Sequence, residues 1–406
     1  MKVGPALRFR RWRLWCAVLS VAIGLRLLVL AVSFETIPPG DTLNYYKMVQ
    51  HMLAGDGMVF IDPVMGPVRA QFPPLYPLLL WALSEVGGLS PATIAILNFA
   101  CDLGTALAMV WLARLIDLRG HLAAAVYLLW PANILLAPLA HKEGLTAMLA
   151  VLTAGALLAA IERSRMAYVF GALSGLLALT QPALAPLPAV LALFMFKEFP
   201  SGTWPKAMLA AVTIAAAVML PWWIRNWFVF GQFVPLTSMA GMGLWIGAIP
   251  WGIGTWAAPS QHLLVGNELA ISKAAAAEAW QYISADPLDY LSRCTRKIGR
   301  AFRADVAPGH FLTLRAPAWA FVTRLTMPLT GLLIGLASVS IALRRPPLIG
   351  RIILACLLQI LLFQFWFEFA ERHRYFLTPF LLMAATQLWR PRVLGPPLRQ
   401  PPSLIV

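Results

Sequence analysis

Pro38-Pro39-Gly40-Asp41-Thr42-Leu43-Asn44-Tyr45 follows the apolar run 14–34 after three intervening residues, and its reading decides the fold. A run of about 20 apolar residues is long enough to cross the hydrocarbon core of a bilayer. The Pro-Pro-Gly stop and the carboxylate behind it then stand at the membrane surface. Arg8, Arg10, Arg11 and Arg13 precede the run. It is longer than a secretory signal core and has no small-residue cleavage site, so it reads as a retained first helix. From Asp41 to Ala54, Tyr45, Val49 and Met52 share a stripe with Tyr46 and Leu53 beside it, while Asn44, Lys47, Gln50 and His51 lie elsewhere. That spacing predicts a surface helix stopped by Gly55-Asp56-Gly57. Asp41 at its start fits two roles, an N-cap or a reactive carboxylate, of which the cap is the commoner.

The rest of the chain repeats the membrane pattern. Of its 406 residues 60% are hydrophobic and 12% charged, against roughly 25% charged in soluble domains. The reading is an all-α polytopic membrane protein in one domain spanning 1–406. Roughly ten spans are expected (range about 9–12), at 14–34, 91–116, 121–140, 144–161, 166–181, 183–196, 207–223, 317–343, 350–368 and 374–389. The apolar run 74–88 is short for a span. Counting it as a surface helix leaves Arg114, Arg119, Arg163, Arg165, Lys197, Lys206, Arg344, Arg345, Arg351, Arg390 and Arg392 on the side of the basic N-terminus. The positive-inside rule then puts both termini in the cytoplasm of a plasma (inner) membrane protein, the 391–406 tail included. Four segments face outside: the loop 35–73, His141-Lys142-Glu143, the long segment 224–316 and the turn 369–373.

The net charge of +15 sits in short loops and one surface helix. It suits anionic lipid or a phosphorylated substrate rather than nucleic acid. That helix is expected over 286–303, capped by Asp286 with Pro287 at its first position. Leu288, Leu291, Thr295, Ile298 and Phe302 form its less polar stripe, and Arg293, Arg296, Lys297, Arg300 and Arg303 are expected on headgroups. Cys16, Cys101, Cys294 and Cys356 have neither metal nor disulfide spacing. P-loop, nucleophile-elbow and zincin motifs are absent from the sequence, which gives no support to nucleotide hydrolysis or serine or zinc hydrolase chemistry. Arg26 and Asp102 are charges inside spans, costly there unless paired or functional, and a pair between them is expected.

Chemistry-bearing residues collect in the outer segments. Glu143 opens a span behind His141-Lys142, as a water-boundary marker or as a functional acid. Arg225 and Asn226 close Leu220-Pro221-Trp222-Trp223-Ile224-Arg225-Asn226, an interfacial anchor or a phosphate fork. Glu371-Arg372-His373-Arg374-Tyr375 is dense in charge for a turn between spans.

Asp41-x-x-x-Tyr45, Leu53-Ala54-Gly55-Asp56-Gly57, Phe72-Pro73-Pro74-Leu75-Tyr76-Pro77, Glu143, Pro221 to Asn226, Phe230 to Pro235, Gly243 to Gly247 and Arg372 to Tyr375 with Pro379 occur in this order. The set resembles the GT-C superfamily of integral membrane glycosyltransferases, in the branch of protein O-mannosyltransferases and lipid A aminoarabinose transferases, over nearly the whole chain. The resemblance implies a GT-C-like fold and transfer of a sugar from a polyprenyl-phosphate-linked donor to a glycolipid, glycan or protein acceptor. It further implies reaction on the extracytoplasmic face, with inversion and with Asp41 as general base. Glu143 is the second catalytic candidate. Arg225 and Arg374 are candidates for the leaving phosphate, with Arg69 and Lys142 behind them, and Tyr45, Asn226, His373 and Tyr375 are further substrate-binding candidates.

The sequence departs from the pattern at Thr42, where some relatives carry a second acid, and at Gln71-Phe72 before Pro73, where some carry a basic residue. No metal ligand set is expected, since Asp41 and Glu143 are compatible with a shared divalent cation but lack a third ligand. The rival readings are a transporter or flippase of a polyprenyl-linked glycan, and a polysaccharide polymerase or ligase. A transporter calls for midplane charges and internal symmetry.

Overall fold

The computed structural model describes residues 5–33, 37–38, 40–255, 257–303 and 317–389. The expected cytoplasmic tail at 391–406, Arg390, and parts of two outer segments (34–36, Pro39, Trp256 and 304–316) lie outside the described residues. Helix α1 covers Pro5–Ser33 and α2 covers Asp41–Leu53. A two-stranded antiparallel hairpin follows, β1 Phe60–Asp62 and β2 Gly66–Val68, with Phe60 opposite Val68. Then come α3 Leu75–Gly87, α4 Pro91–Leu115, α5 Gly120–Leu128, α6 Pro131–Leu135, α7 Glu143–Glu162, α8 Met166–Ala178, α9 Leu187–Phe194 and α10 Trp204–Phe230. The second half holds α11 Ala240–Ala248, α12 Glu268–Ala285, α13 Pro287–Arg303, α14 Ala320–Thr326, α15 Leu329–Arg344, α16 Pro347–Gln359 and α17 Thr378–Ala385.

Among the described residues six helices are long and apolar enough to cross a membrane: Trp12–Val32, Pro91–Leu115, Glu143–Glu162, Trp204–Phe230, Ala320–Arg344 and Pro347–Gln364. These match six of the expected spans. The other four are short or broken. The run 121–140 divides at Trp130, because Pro131 cannot continue α5 and instead opens α6. Gln181-Pro182 divides α8 from α9, and 374–389 keeps only eight α-helical residues in α17. The 13 residues of α3 reach about 20 Å, less than the roughly 30 Å hydrocarbon core.

Close packing explains how the bundle is held. Gly171 and Gly175 on α8 face α10. A Cβ at Gly171 would stand 2.3 Å from the Ala211 carbonyl oxygen, and one at Gly175 2.9 Å from that of Ala215. A small residue every fourth position lets two membrane helices touch backbone to backbone.

The charges inside spans are paired. Arg26 Nη2 lies 2.5 Å from Asp102 Oδ2, with both side chains 5% exposed. Arg26 Nη1 also donates to the carbonyls of Ala22 and Leu128, so the pair ties α1 to α4 and α5.

The surface helices are present with altered faces. In α2 the buried positions are Thr42, Tyr45, Met48 and Val49, while Leu53 is exposed. Helix α13 is capped as expected, with Asp286 Oδ1 accepting from Asp289 N at 2.9 Å. Its inward face, however, is Tyr290, Cys294, Lys297 and Ala301, and Leu288 and Leu291 point outward. The expected row of headgroup-facing cations is broken for a physical reason. Arg293 donates to the Ala248 carbonyl, Lys297 Nζ to that of Phe367, and Arg300 to that of Ile253. The carbonyl of the last residue of α11 and two loop carbonyls thus hold three of these basic side chains against the protein.

Candidate active site

The backbone at 137–141 is pinned before any charged side chain is placed. Buried Asn98 on α4 donates from Nδ2 to the carbonyls of Ala137 and Leu139 at 3.0 and 2.8 Å. Tyr76 on α3 donates to Asn98 Oδ1 and accepts from His141 N, both at 3.1 Å. Thr42 on α2 donates to the Ala140 carbonyl at 3.2 Å. Three elements thus fix one turn, which delivers His141, Lys142 and Glu143 to the start of α7.

Asp41 is the first residue of α2 and not its cap. Gly40 takes the N-cap with φ +92°, a conformation that glycine adopts without a Cβ penalty, and no side chain caps the helix. The Asp41 carboxylate, 34% exposed, instead pairs with Arg372, Oδ2 to Nη2 at 2.7 Å. Arg372 Nε lies 3.8 Å from Glu143 Oε1, and Glu143 Oε2 is 3.0 Å from His141 Nδ1. A partly exposed guanidinium therefore bridges the two candidate carboxylates. That places a cation where a shared divalent metal would have to sit, and the residues present do not fit one. Among the described residues no group of three or more His, Cys, Asp or Glu could hold a metal ion.

The electrostatics follow from this closure. Asp41 first, opposed by burial and supported by Glu143 and Glu368, holds the Arg372 guanidinium above its ordinary value. Burial lowers Lys142, while Glu143 and Asp41 oppose the shift. Burial raises Glu368 against the pull of Arg372, with Asp41 adding to the rise. Tyr45 is 1% exposed, and its buried hydroxyl has no hydrogen-bond partner among the described residues. Burial and then Asp41 push its pKa well up, so it stays a neutral donor.

His373 is lowered to about 3 by burial and then by Arg372 and Lys142. Between that value and the unfolded value of about 6.5 the unfolded chain binds more protons than the folded one, so stability falls as pH falls. The melting temperature in detergent is expected to drop on acidification through this window, with a shallower drop in His373→Gln. An unchanged slope would contradict the placement.

The sequence candidates divide into three groups. Asp41, Glu143, Tyr45, Lys142 and His373 meet at the cluster. Tyr375 joins from the other side of Glu143, lining a cavity with Asp102, His141 and Glu143. Arg374 does not join. It is 3% exposed, its Nε donates to the Ala301 carbonyl, and it stacks over Phe302 at 5.9 Å, so it anchors α13 and not a leaving phosphate.

Arg69, Arg225 and Asn226 form a separate group. Arg225 donates to the Met58 carbonyl at 3.0 Å and to Asn226 Oδ1 at 2.9 Å, and lies 4.9 Å over Trp222. Asn226, fully buried, donates to the Val234 carbonyl at 2.8 Å, which makes it a structural tie. Exposed Arg69 stands on a loop held by Glu268, whose carboxylate accepts from Arg69 N, Ala70 N and Ser238 Oγ at 2.9, 3.3 and 2.6 Å. Removing a buried acceptor strands its donors at roughly 1–3 kcal/mol. Glu268→Ala is expected to cost about that much in thermal stability and to speed proteolysis within 58–72. Wild-type proteolysis would rule out the tie.

Reasoning from sequence chose Arg374 over Arg372. It also passed over Glu368, Glu268, Tyr76 and Asn98. Charge density marked the 371–375 turn, but nothing in the sequence said which arginine faces the carboxylates.

No family model and no curated protein matches the chain. Solved structures do. The archaeal oligosaccharyltransferase AglB from Archaeoglobus fulgidus, in complex with an inhibitory peptide and a dolichol-phosphate, superposes with a TM-score of 0.54 at 13% identity. Its apo form gives the same values. Both alignments cover 91% of this chain and 50% of that one, so the chain spans about half the length of the enzyme. ArnT from Cupriavidus metallidurans bound to undecaprenyl phosphate aligns over 92% of this chain and 77% of its own at 15% identity, with a TM-score of 0.44. The described helices share the fold of the matched half of that archaeal oligosaccharyltransferase.

Proposed function

We propose that this chain is a membrane glycosyltransferase that moves a sugar or glycan from a polyprenyl-phosphate-linked donor to a lipid, glycan or protein acceptor. The observation that carries the reading is the Asp41–Arg372–Glu143 bridge. It is a partly exposed carboxylate paired to a mobile-length cation where the loops at 40, 141 and 371 converge. The presence of dolichol-phosphate in the archaeal oligosaccharyltransferase structure supports a polyprenyl phosphate as the donor's lipid. The basic loops at the opposite end support an extracytoplasmic site.

The step balances simply. The acceptor oxygen or nitrogen attacks the anomeric carbon, the bond from that carbon to the phosphate oxygen breaks, and its electron pair leaves on the phosphate. Asp41 takes the acceptor proton as general base. Attack opposite the leaving group inverts the anomeric centre. Arg372 turns from Asp41 to the departing phosphate, which frees the base and meets the charge as it develops. Glu143 and His141 hold Arg372 within reach of both. Lys142 adds positive charge at the same edge, and Arg69 with Arg225 forms a second basic group for the lipid phosphate.

A transporter reading loses its main support, since the Arg26–Asp102 charges are satisfied by each other and by backbone carbonyls. Arg372→Ala is expected to lower turnover by about 10²–10³-fold. Arg372→Lys keeps the charge but not the planar fork and should recover part of it. Wild-type turnover in Arg372→Ala would remove the reading.

A further inference from the structure

Arg372 stands on a turn that is closed on itself. His373 N donates to the Ala370 carbonyl at 3.0 Å, and Ala370 N donates to His373 Nδ1 at 3.3 Å. The rings of Phe369 and His373 meet edge to face at 5.8 Å. With the turn fixed internally, the place of Arg372 is set by whatever holds its two stems. Both are held by the inward face of α13, where Tyr290, Lys297 and Ala301 lie. On the entry stem the Tyr290 hydroxyl donates to the Trp366 carbonyl at 2.5 Å, and Lys297 Nζ donates to that of Phe367. On the exit stem Arg374 Nε donates to the Ala301 carbonyl. Two further bonds complete the entry stem: Glu368 N donates to the Gly243 carbonyl of α11 at 2.8 Å, and Phe369 N to that of Gly254 at 2.9 Å.

Lys297 stands out among these ties. It is 3% exposed, and a buried ammonium costs far more than a neutral donor, which would satisfy a carbonyl equally well. Burial pushes the Lys297 pKa down, while Cys294 and then Glu368 oppose the shift. Glu368 directly follows Phe367, and its carboxylate also feels the charges of Arg372, Asp41 and Lys142. One ammonium therefore holds Phe367 by a bond and Glu368 by charge, both on the stem that leads to Arg372. There is no slack in this arrangement. A Cβ at Gly254 would stand 2.2 Å from Lys297 Cδ, so the loop that receives Phe369 N is packed against the lysine itself.

We propose that Lys297 is a positioning residue for Arg372, fixing the 366–369 stem so that the guanidinium is presented to Asp41 and to a lipid phosphate. The lysine touches neither carboxylate of the bridge and acts through the turn. The inference rests on the transferase reading for the phosphate. A residue that only stabilised α13 would change the melting temperature and leave phosphate affinity alone. A residue that positions Arg372 changes phosphate affinity, and does so only while Arg372 is present.

The test is a double-mutant cycle read by native mass spectrometry of the full chain in detergent, titrated with undecaprenyl phosphate as the probe. Lys297→Met keeps the length of the side chain and removes its charge and N–H donors. It is expected to weaken binding about tenfold, the order of one hydrogen bond to a charged group. Arg372→Ala should weaken it at least as much, and the double mutant no further than Arg372→Ala alone, because nothing is left to position. Tyr290→Phe removes one bond to the same stem and keeps the ring. It should weaken binding about threefold with the same dependence on Arg372, and it takes the place of Lys297→Met in the cycle if that variant does not fold. Wild-type affinity in Lys297→Met and Tyr290→Phe with Arg372→Ala weakened, or losses that add in the double mutants, would overturn the inference and leave the transferase reading standing. Wild-type affinity in Arg372→Ala would remove the phosphate role of Arg372, and the inference with it.

Discussion

Arg26→Leu is expected to destabilise the protein by about 3–5 kcal/mol, and adding Asp102→Leu to restore most of that loss. Removing one partner of a buried ion pair leaves the other charge uncompensated, whereas replacing both by apolar groups is often neutral. The geometry makes this pair a strict case. Its contact is 2.5 Å long, both side chains are 5% exposed, and Arg26 also holds the carbonyls of Ala22 and Leu128. In the single mutant Asp102 faces a span interior with its cation gone. Thermal unfolding in detergent and the yield of inserted protein would report the effect. A double mutant as unstable as Arg26→Leu would show that Asp102 has a role beyond pairing. Its place beside His141 and Glu143 in one cavity makes that outcome informative about the site.

Asp41→Asn is the second large effect. The amide keeps the size and can still accept a hydrogen bond from Arg372, but it cannot take a proton. General bases contribute typically about 10²–10⁴-fold, so turnover should fall by that factor with little change in thermal stability. Both partners of the lost pair are about one-third exposed, where ion pairs add little to stability. A fall in stability with turnover retained would make Asp41 a structural partner of Arg372 and nothing more.

Much of the fold was legible because the membrane imposes a simple demand on sequence. Long apolar runs gave α1, α4, α7 and α10, and the 3.6-residue spacing of Tyr45 and Val49 gave the buried face of α2. The Arg26–Asp102 pair was legible for the same reason, since two charges inside spans have few partners other than each other. Span number was less legible. Hydropathy does not register that Pro131 ends α5 or that the 374–389 run is an eight-residue α-helix between two 3-10 segments.

Of the candidate cluster, the carboxylates Asp41 and Glu143 were legible and the groups that hold them much less so. Arg372 and Arg374 are two residues apart in a turn whose facing depends on tertiary contact. Glu268 reaches the backbone of Arg69 from 199 positions away. Neither relation leaves a local spacing to read. Asp41 itself was expected most often as a cap, but the helix begins at Asp41, one residue past the cap position, which Gly40 takes with no side-chain cap.

The most direct test of the account is mass spectrometry of envelope glycolipids and glycans from a deletion strain carrying either the wild-type protein or Asp41→Asn at matched membrane levels. The account predicts that one sugar or glycan is missing from the deletion strain, restored by the wild type and still missing with Asp41→Asn. Its mass would name the transferred group. Restoration of the wild-type profile by Asp41→Asn would contradict the account.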